Sequence, residues 1–492
     1  MDRWAFWALF TFILLAGFFM RFYDLTKRPI HHDEGVIGWF MMNILQRLDY
    51  TYDADYHGPF LYHFGALVFL IFGDSDFTLR APTALANLAV ILLLLPLRKK
   101  MGDAGVLAAA ALLSLSPSMV YYAQRAYMDN WFILFTIGLV AAIVLFFETR
   151  DDKYIVASAG LLALLFTTKE IAFIILFILL LYGALEYAAR LFAKGGRWKA
   201  LERDARAVAL EARRRWRALA ASVAVFVIIY VAFYTTLLFN WKNIVPAVTR
   251  SLTFWLERST TWAGHFKPFP YYYEIMVKHE HAILLLAVAA SFLAGRSAFS
   301  RFALVWSLAT YFIFSAIPYK TPWLDPHILL PFAVLAGTGI DALWGSVRGW
   351  WRLVPTAVLA ALLGISAYNA WQITYVNYSD DREMLVYVQS LDDYTKLVQR
   401  IENHSQAWGG YEMPISVTSD EYWPLPWSLR KFRRMAFWGR SVEDQDAPVI
   451  ISKKSDFSEI RSELRGEYDI GTYTLRPGVT VFAYFRRGSG AS

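Results

Sequence analysis

Residues 161–178 read LLALLFTTKEIAFIILFI. They form two apolar runs that are separated only by two threonines and the ionisable residues Lys169 and Glu170. Without these ionisable residues the stretch would be one apolar run of the length that crosses a bilayer. Ionisable side chains at such a depth are costly and usually mark a cavity or a pathway, although a pair of them can also form a plain turn between two helices. The stretch therefore predicts a membrane protein with a polar break between two helices.

The rest of the 492-residue chain has the same character, with 57% hydrophobic and 18% charged residues. Soluble domains carry about 25% charged residues, and they spread their apolar residues along one helix face rather than in runs of about 20. We predict a polytopic α-helical membrane protein with about eleven transmembrane helices. The predicted segments are residues 4–22, 77–97, 104–122, 131–147, 154–167, 171–192, 219–239, 282–293, 302–317, 328–343 and 353–373.

Lysine and arginine are concentrated in alternate loops of this arrangement, around residues 98–100, 150–153, 190–217, 296–301 and 348–352. Basic loops stay in the cytoplasm. We therefore expect a multi-pass protein of the cell membrane with a cytoplasmic N-terminus and an extracytoplasmic C-terminus. The net charge of +7 is then a topology signal and not a nucleic-acid footprint, and the lack of cysteine excludes disulfides and thiolate metal sites.

Two parts of the chain differ in character. Residues 1–373 hold the apolar segments, and residues 374–492 have a helical pattern over 381–403, strand-like runs at 414–418 and 449–452, and a hairpin pattern around Pro477 and Gly478. We predict a transmembrane domain followed by a small extracytoplasmic α/β domain.

The first outer loop begins with HHDEG at residues 31–35. A partly desolvated acid at the membrane boundary can act as a general base toward a hydroxyl or an amine, so Asp33, with Glu34 in reserve, is a catalytic candidate. Asp33 also fits the N-cap of the helix that follows. A metal site formed by the two histidines and two acids is a third reading, although the spacing matches no known metal motif.

Other outer loops add cations and further polar groups. Arg125 and Asp129 are four residues apart and would pair on a helix, or they form a local salt bridge at the interface. Lys169 and Lys320 could each meet an anionic group such as a phosphate, and a snorkelling lysine is the alternative for Lys320. The aromatic loop around Trp262 suits sugar stacking and a lipid-facing belt equally.

Acids and lysines on one membrane face suit a reaction between a lipid-phosphate-linked group and an aqueous acceptor. A transporter should instead show charges near mid-bilayer and paired broken helices. A non-catalytic scaffold that binds glycans leaves the break at residues 169–170 unexplained.

Four motifs extend this interpretation: HGPFL at residues 57–61, TKE at 168–170, YKTPW at 319–323 and WPLPWSLR at 423–430. Their order and membrane side resemble the GT-C membrane glycosyltransferases, in particular the protein O-mannosyltransferase and aminoarabinose transferase superfamily. The last two motifs are similar to the branch of the flippase-activity-associated protein Agl23.

The resemblance implies transfer of a sugar from a polyprenyl-phosphate donor with inversion at the anomeric carbon. It implies Asp33 as the base, Asp129 as the acid of the second loop, and Lys169 or Lys320 at the donor phosphate. The predicted site residues are, for catalysis, Asp33, Glu34 and Asp129; for the donor phosphate, Arg125, Lys169, Tyr319, Lys320 and His327; and for substrate, His57, Tyr62, Glu170, Trp262 and Trp323.

The acceptor could be a protein, a lipid or a glycan. His327 replaces an arginine that is common in relatives. No metal ligand is predicted, and a divalent metal is left open as a cofactor. The alternative function is a lipid-linked sugar flippase or transporter, or its accessory subunit.

Overall fold

The structure is a computed structural model that describes residues 2–193, 198–260, 265–440 and 446–488. Its helices are α1 (Arg3–Phe22), α2 (His32–Arg47), α3 (Phe60–Phe72), α4 (Asp76–Leu92), α5 (Arg98–Met101), α6 (Asp103–Leu115), α7 (Pro117–Ala123), α8 (Met128–Thr149), α9 (Lys153–Thr168), α10 (Ala172–Ala193), α11 (Trp198–Arg214), α12 (Trp216–Tyr234), α13 (Ile244–Thr260), α14 (Tyr271–Lys278), α15 (His281–Ser291), α16 (Ala298–Ala316), α17 (Asp325–Ser346), α18 (Leu353–Trp371), α19 (Asp392–Ser405), α20 (Leu425–Ser428) and α21 (Phe457–Glu463).

Within the described residues, eight helical spans are long and apolar enough to cross a membrane, and the bent pair α6 and α7 makes a ninth. These nine coincide with nine of the eleven predicted segments. The other two, residues 154–167 and 282–293, correspond to the shorter apolar helices α9 and α15. A polytopic helical architecture is therefore confirmed.

Two helix breaks lie on the predicted outer side of the membrane domain. The α6–α7 pair bends by 58° at Ser116 and Pro117, because proline has no amide for the helix ladder and the Ser116 hydroxyl caps the new helix through Met119 N–H. The break between α9 and α10 falls at Lys169, which has an extended backbone. The predicted polar break is thus a real interruption between two helices.

The C-terminal part contains a five-stranded sheet in the order β2-β1-β3-β5-β4. The strands are β1 (Ile415–Val417), β2 (Met435–Phe437), β3 (Val449–Lys453), β4 (Tyr468–Arg476) and β5 (Val479–Arg486). Strand β1 is parallel to β2 and β3, whereas β5 is antiparallel to β3 and β4. The predicted hairpin at residues 477–478 is present, and β2 was not predicted.

The predicted helix over residues 381–403 is wrong in its first half, because α19 begins only at Asp392. The preceding segment forms turns and not a helix. Val388 has a φ of +53°, and the Leu391 amide donates to the Leu475 carbonyl of β4. Tertiary contacts here override the periodic pattern.

The C-terminal sheet domain is packed directly on α2. A Cβ added to Gly35 would lie 2.4 Å from the Cβ of Pro424, and one added to Gly38 would lie 2.3 Å from the ring of Trp427, so only glycine allows this approach. The Trp427 indole N–H donates to Asp76 at 2.8 Å. The helix that carries Asp33 is therefore held by the C-terminal domain.

Candidate functional site

A cavity of about 580 Å³ lies where the predicted outer loops and the C-terminal domain meet. Its wall includes the start of α2, the loop before α3, the start of α8 and the loop before α17. The C-terminal region forms the remaining part of the wall. Its polar and aromatic lining includes Asp33, Asp55, Tyr56, His57, Asp129, Tyr387, Glu421 and Arg476.

The prediction that Asp33 caps α2 is wrong. His31 is the N-cap: its Nδ1 accepts the Asp33 N–H at 3.0 Å, while the Glu34 carboxylate accepts the His31 N–H at 3.0 Å. Because Nδ1 is an acceptor, the proton is on Nε2, which donates to the Tyr387 carbonyl at 2.8 Å. The Asp33 carboxylate is left open to the cavity, with its side chain 39% exposed.

The surroundings of Asp33 suit a general base. Desolvation of its carboxylate within the cavity raises its pKa to about 6, while the charges of Arg125 and His57 act in the opposite direction. Burial also lowers the pKa of His31 well below its ordinary value, so this ring is neutral. At pH 7 Asp33 is mostly ionised, and its pKa is close to that pH, as efficient proton abstraction requires.

Glu34 has a different environment, although it is the next residue. Its two carboxylate oxygens each accept a bond of 2.8 Å from the Arg80 guanidinium, and one also accepts the Ala126 N–H at 3.1 Å. Burial alone would raise the pKa of Glu34, but Arg80 lowers it to about 2. Glu34 lies in a buried ion pair and is not among the described residues of the cavity wall. This geometry suits a residue that positions its neighbours.

Asp129, Lys169 and His327 come together at one edge of the cavity. Lys169 Nζ and His327 Nε2 each lie 2.7 Å from Oδ1 of Asp129, and all three side chains are buried. Three helix ends that are far apart in sequence thus meet at one carboxylate. The structure brings together three residues that were predicted separately.

The predicted pairing of Arg125 with Asp129 is wrong, since α7 ends at Ala123 and α8 begins at Met128, and the two residues do not share a helix. Arg125 instead lies buried among tyrosines. Its guanidinium bonds to the Tyr121 hydroxyl, contacts that ring at 4.4 Å, and lies 3.4 Å from the Tyr127 hydroxyl. It is behind the described cavity wall and acts on the site through its charge.

Glu170 ties the first outer loop to the α9–α10 break. Its carboxylate accepts the Tyr52 hydroxyl and contacts His57 Nδ1, each at 2.9 Å. The Gly58 N–H donates to the Thr168 carbonyl at 3.2 Å, and a Cβ on Gly58 would lie 2.3 Å from the neighbouring carbonyl oxygen. The glycine of the HGPFL motif thus permits the approach that places His57 on the cavity wall.

A smaller recess of about 60 Å³ adjoins the cavity and shares Asp55, His57, Tyr319 and Trp323 with it. Lys169 lies on its wall. The rest of the wall is mostly apolar and includes Ile171, Phe254, Phe314, Ile317 and Leu324. An ammonium beside an apolar slot can hold an anionic group that carries a hydrocarbon chain.

The other predicted residues divide into two groups. Tyr62, Tyr319 and Trp323 lie on the cavity wall. Lys320 does not reach that described wall: its buried ammonium donates to the carbonyls of Ile317 at 2.6 Å and Lys267 at 3.0 Å, and burial lowers its pKa. Trp262 lies outside the described residues.

Sequence reasoning missed Asp55, Tyr387, Glu421 and Arg476, which line the cavity. Glu421 precedes the WPLPWSLR motif by two residues, which was the only local signal for it. Arg476 ends an ordinary strand. In the described part of the chain, no group of three or more His, Cys, Asp or Glu side chains is arranged to hold a metal ion.

The family described as dolichyl-phosphate-mannose-protein mannosyltransferase has a model that matches residues 56–201. No curated protein matches the sequence. The matched region contains the HGPFL motif, Asp129 and the TKE break, whereas Asp33, His327 and the C-terminal part of the cavity wall lie outside it.

Solved structures show a similar fold over the whole chain. ArnT from Cupriavidus metallidurans bound to undecaprenyl phosphate matches with a TM-score of 0.65 and 15% identity, over 100% of both chains. The same protein in the apo state matches with a TM-score of 0.64, 14% identity and 97% of both chains. Arabinofuranosyltransferase AftD from Mycobacteria matches with a TM-score of 0.51 and 12% identity, over 100% of this chain and 40% of that one.

The predicted fold class is confirmed: the chain is an integral membrane protein with the GT-C fold of membrane glycosyltransferases and a small C-terminal sheet. These matches give no support to the flippase alternative. The narrower resemblance to the Agl23 branch stays a prediction.

Proposed function

We propose that the protein is a membrane glycosyltransferase that moves a sugar from a polyprenyl-phosphate donor to an acceptor in the cavity. The observation that carries the proposal is the placement of Asp33, which caps nothing, faces the cavity and has a pKa of about 6. The cavity adjoins a recess where Lys169 meets apolar side chains. A base and a cation suited to a phosphate thus lie on the walls of two adjoining spaces.

The donor would occupy the recess and the adjoining cavity. Its phosphate would approach Lys169, its prenyl chain would follow Phe254, Phe314 and Leu324, and its sugar would project toward Asp33. The similar fold of ArnT, which was solved with undecaprenyl phosphate, supports a lipid phosphate of this class. The match to the mannosyltransferase family agrees with a sugar as the transferred group.

The reaction would be a single displacement. Asp33 accepts the proton of an acceptor hydroxyl while that oxygen attacks the anomeric carbon, and the bond from that carbon to the phosphate oxygen breaks. The lipid phosphate leaves with both electrons of that bond, and Lys169 stabilises its charge. Attack from the side opposite the phosphate inverts the anomeric carbon. Positioned bases and cations of this kind contribute several kcal/mol each.

Asp129 has a supporting part in this scheme. It holds Lys169 and His327 at 2.7 Å before the donor binds, so the ammonium is fixed in place where Lys169 lines the recess. Preorganised charges need no reorientation during the reaction. Because basic loops stay in the cytoplasm, we expect this cavity on the extracytoplasmic side and the N-terminus in the cytoplasm.

The test uses the purified chain in nanodiscs with polyprenyl-phosphate sugars that carry a radiolabel on mannose, glucose or arabinose. Membranes from a strain that lacks the gene supply the acceptor. We expect transfer of label from one donor into the acceptor fraction and a loss of about 10²-fold or more in Asp33→Asn. The matched control is Asp24→Asn, an acid of the same loop that is 39% exposed and pairs with Lys27. Full transfer by Asp33→Asn would refute the assignment of the base.

A further inference from the structure

The C-terminal domain supplies a polar part of the cavity wall. Arg476, the last residue of β4, donates to the Trp423 carbonyl at 2.8 Å and pairs with Glu421. The Arg476 side chain is 7% exposed, whereas that of Glu421 is 56% exposed. Both line the cavity that contains Asp33. The pair therefore presents a fixed guanidinium and an accessible carboxylate on the side of the cavity that the C-terminal domain forms.

Three aromatic residues lie near this pair. Trp39 and Tyr56 are 42% and 43% exposed, and Tyr56 lines the cavity. The rings of Trp39 and Trp423 meet edge to face at 6.4 Å. Trp423 also provides the carbonyl that holds Arg476. Tyr56 thus lies on the cavity wall itself, and the paired rings of Trp39 and Trp423 lie next to it through the backbone contact of Trp423 with Arg476.

This combination matches the chemistry of a sugar ring. A pyranose has apolar C–H faces that pack against aromatic rings, and neighbouring hydroxyls that can donate to a carboxylate and accept from a guanidinium. The ion pair of Glu421 and Arg476 has no net charge, which suits a neutral ligand better than an anionic one. The exposed carboxylate of Glu421 leaves acceptor positions for hydroxyl protons.

A peptide acceptor fits this wall less well. One common way for an extended peptide to bind is to add a strand to an open sheet edge. Strand β4 is an edge strand, but near the cavity its Leu475 carbonyl already accepts the Leu391 N–H at 2.9 Å. The backbone beside Arg476 is thus occupied by the chain itself.

We infer that Glu421, Arg476 and Trp423, together with Trp39 and Tyr56, form an acceptor subsite for a saccharide, which the C-terminal domain contributes to the site of the membrane domain. The inference rests on the proposed glycosyl transfer and assigns the acceptor class. The acceptor hydroxyl would be presented to Asp33 while the rest of the saccharide contacts this wall.

The test is saturation-transfer-difference NMR on the full chain in nanodiscs with a panel of methyl glycosides (mannoside, glucoside, galactoside and N-acetylglucosaminide). We expect saturation of at least one glycoside, reduced at least five-fold in Glu421→Gln and in Trp423→Ala. The matched controls are Glu412→Gln, whose carboxylate pairs with Arg433 at 2.8 Å in the same domain, and Trp438→Ala, whose ring is 50% exposed. A thermal melt confirms that each variant is folded.

Two outcomes would overturn the inference: no glycoside is saturated by the folded wild type, or the subsite variants and their controls behave alike. The same samples separate this result from the proposed function. Lys169→Met should retain glycoside saturation and lose polyprenyl-phosphate binding. If wild type releases sugar from the donor but binds no glycoside, the acceptor assignment fails and the transferase proposal stands.

Discussion

The ion pair between Glu34 and Arg80 gives the sharpest test of how the site is held. Both side chains are 1% exposed, and two bonds of 2.8 Å join them. Removing one partner of a buried pair costs about 3–5 kcal/mol, because the other charge stays buried without compensation. In Glu34→Gln, Arg80 still has the carbonyls of Leu25, Arg28 and Pro29 within 3.3 Å. We therefore expect the lower end, about 3 kcal/mol of unfolding free energy.

The same substitution should impair catalysis, because the Glu34 carboxylate also holds the His31 amide at the start of α2. A displacement of Asp33 by about 1 Å can cost about 100-fold in rate. We expect kcat to fall about 10- to 100-fold with little change in donor affinity. The assays are SDS-induced unfolding in mixed micelles and sugar release from the lipid donor.

A second variant separates the charge from the packing. Adding Arg80→Met to Glu34→Gln removes the unpaired guanidinium, so it should recover part of the stability but not the rate. Breaking the exposed pair of Asp24 and Lys27, 3.4 Å apart, should cost less than about 1 kcal/mol and serves as control. The reasoning is refuted if Glu34→Gln unfolds within 1 kcal/mol of wild type, or if the double variant is no more stable than the single one.

Three further predictions follow from the site. The pKa of Asp33 is raised from 3.8 to about 6, so kcat should fall as pH drops through about 6, where the base becomes protonated; a flat profile between pH 5 and 8 would contradict this. Lys169→Met should weaken polyprenyl-phosphate binding by about 10- to 100-fold in a fluorescence titration, whereas Lys320→Met should change it less than about two-fold, and equal effects would contradict the placement of the recess. Gly38→Ala places a methyl group 2.3 Å from the Trp427 ring and should destabilise the chain by about 1–3 kcal/mol, whereas Gly364→Ala, with open space around it, should not; equal unfolding curves would argue against this docking.

The sequence predicted the membrane architecture because its signal is local. Apolar runs and basic loops are each visible within about 20 residues, and the lipid requires helices to satisfy their own backbone. The break at residues 169–170 was visible for the same reason, since two ionisable residues interrupt an apolar run. Asp33 and Lys169 stood out as candidates through this contrast.

Capping and pairing were decided by tertiary structure. Asp33 was free for the cavity only because His31 caps α2, and His31 can do so because Tyr387, more than 350 residues away, accepts its other ring proton. Lys169 and His327 converge on Asp129 because three helix ends meet. No local pattern specifies such contacts.

The contribution of the C-terminal domain to the site could not be predicted from the sequence either. Arg476 has the local context of any strand end, and its place on the cavity wall follows from the packing of Pro424 and Trp427 on the glycine face of α2. The sequence by itself thus determined that the chain spans a membrane and that a charged pair interrupts one of its apolar runs. Long-range packing alone decided which acid faces the cavity and which domain completes its wall, because burial and hydrogen-bond partners depend on residues distant in sequence.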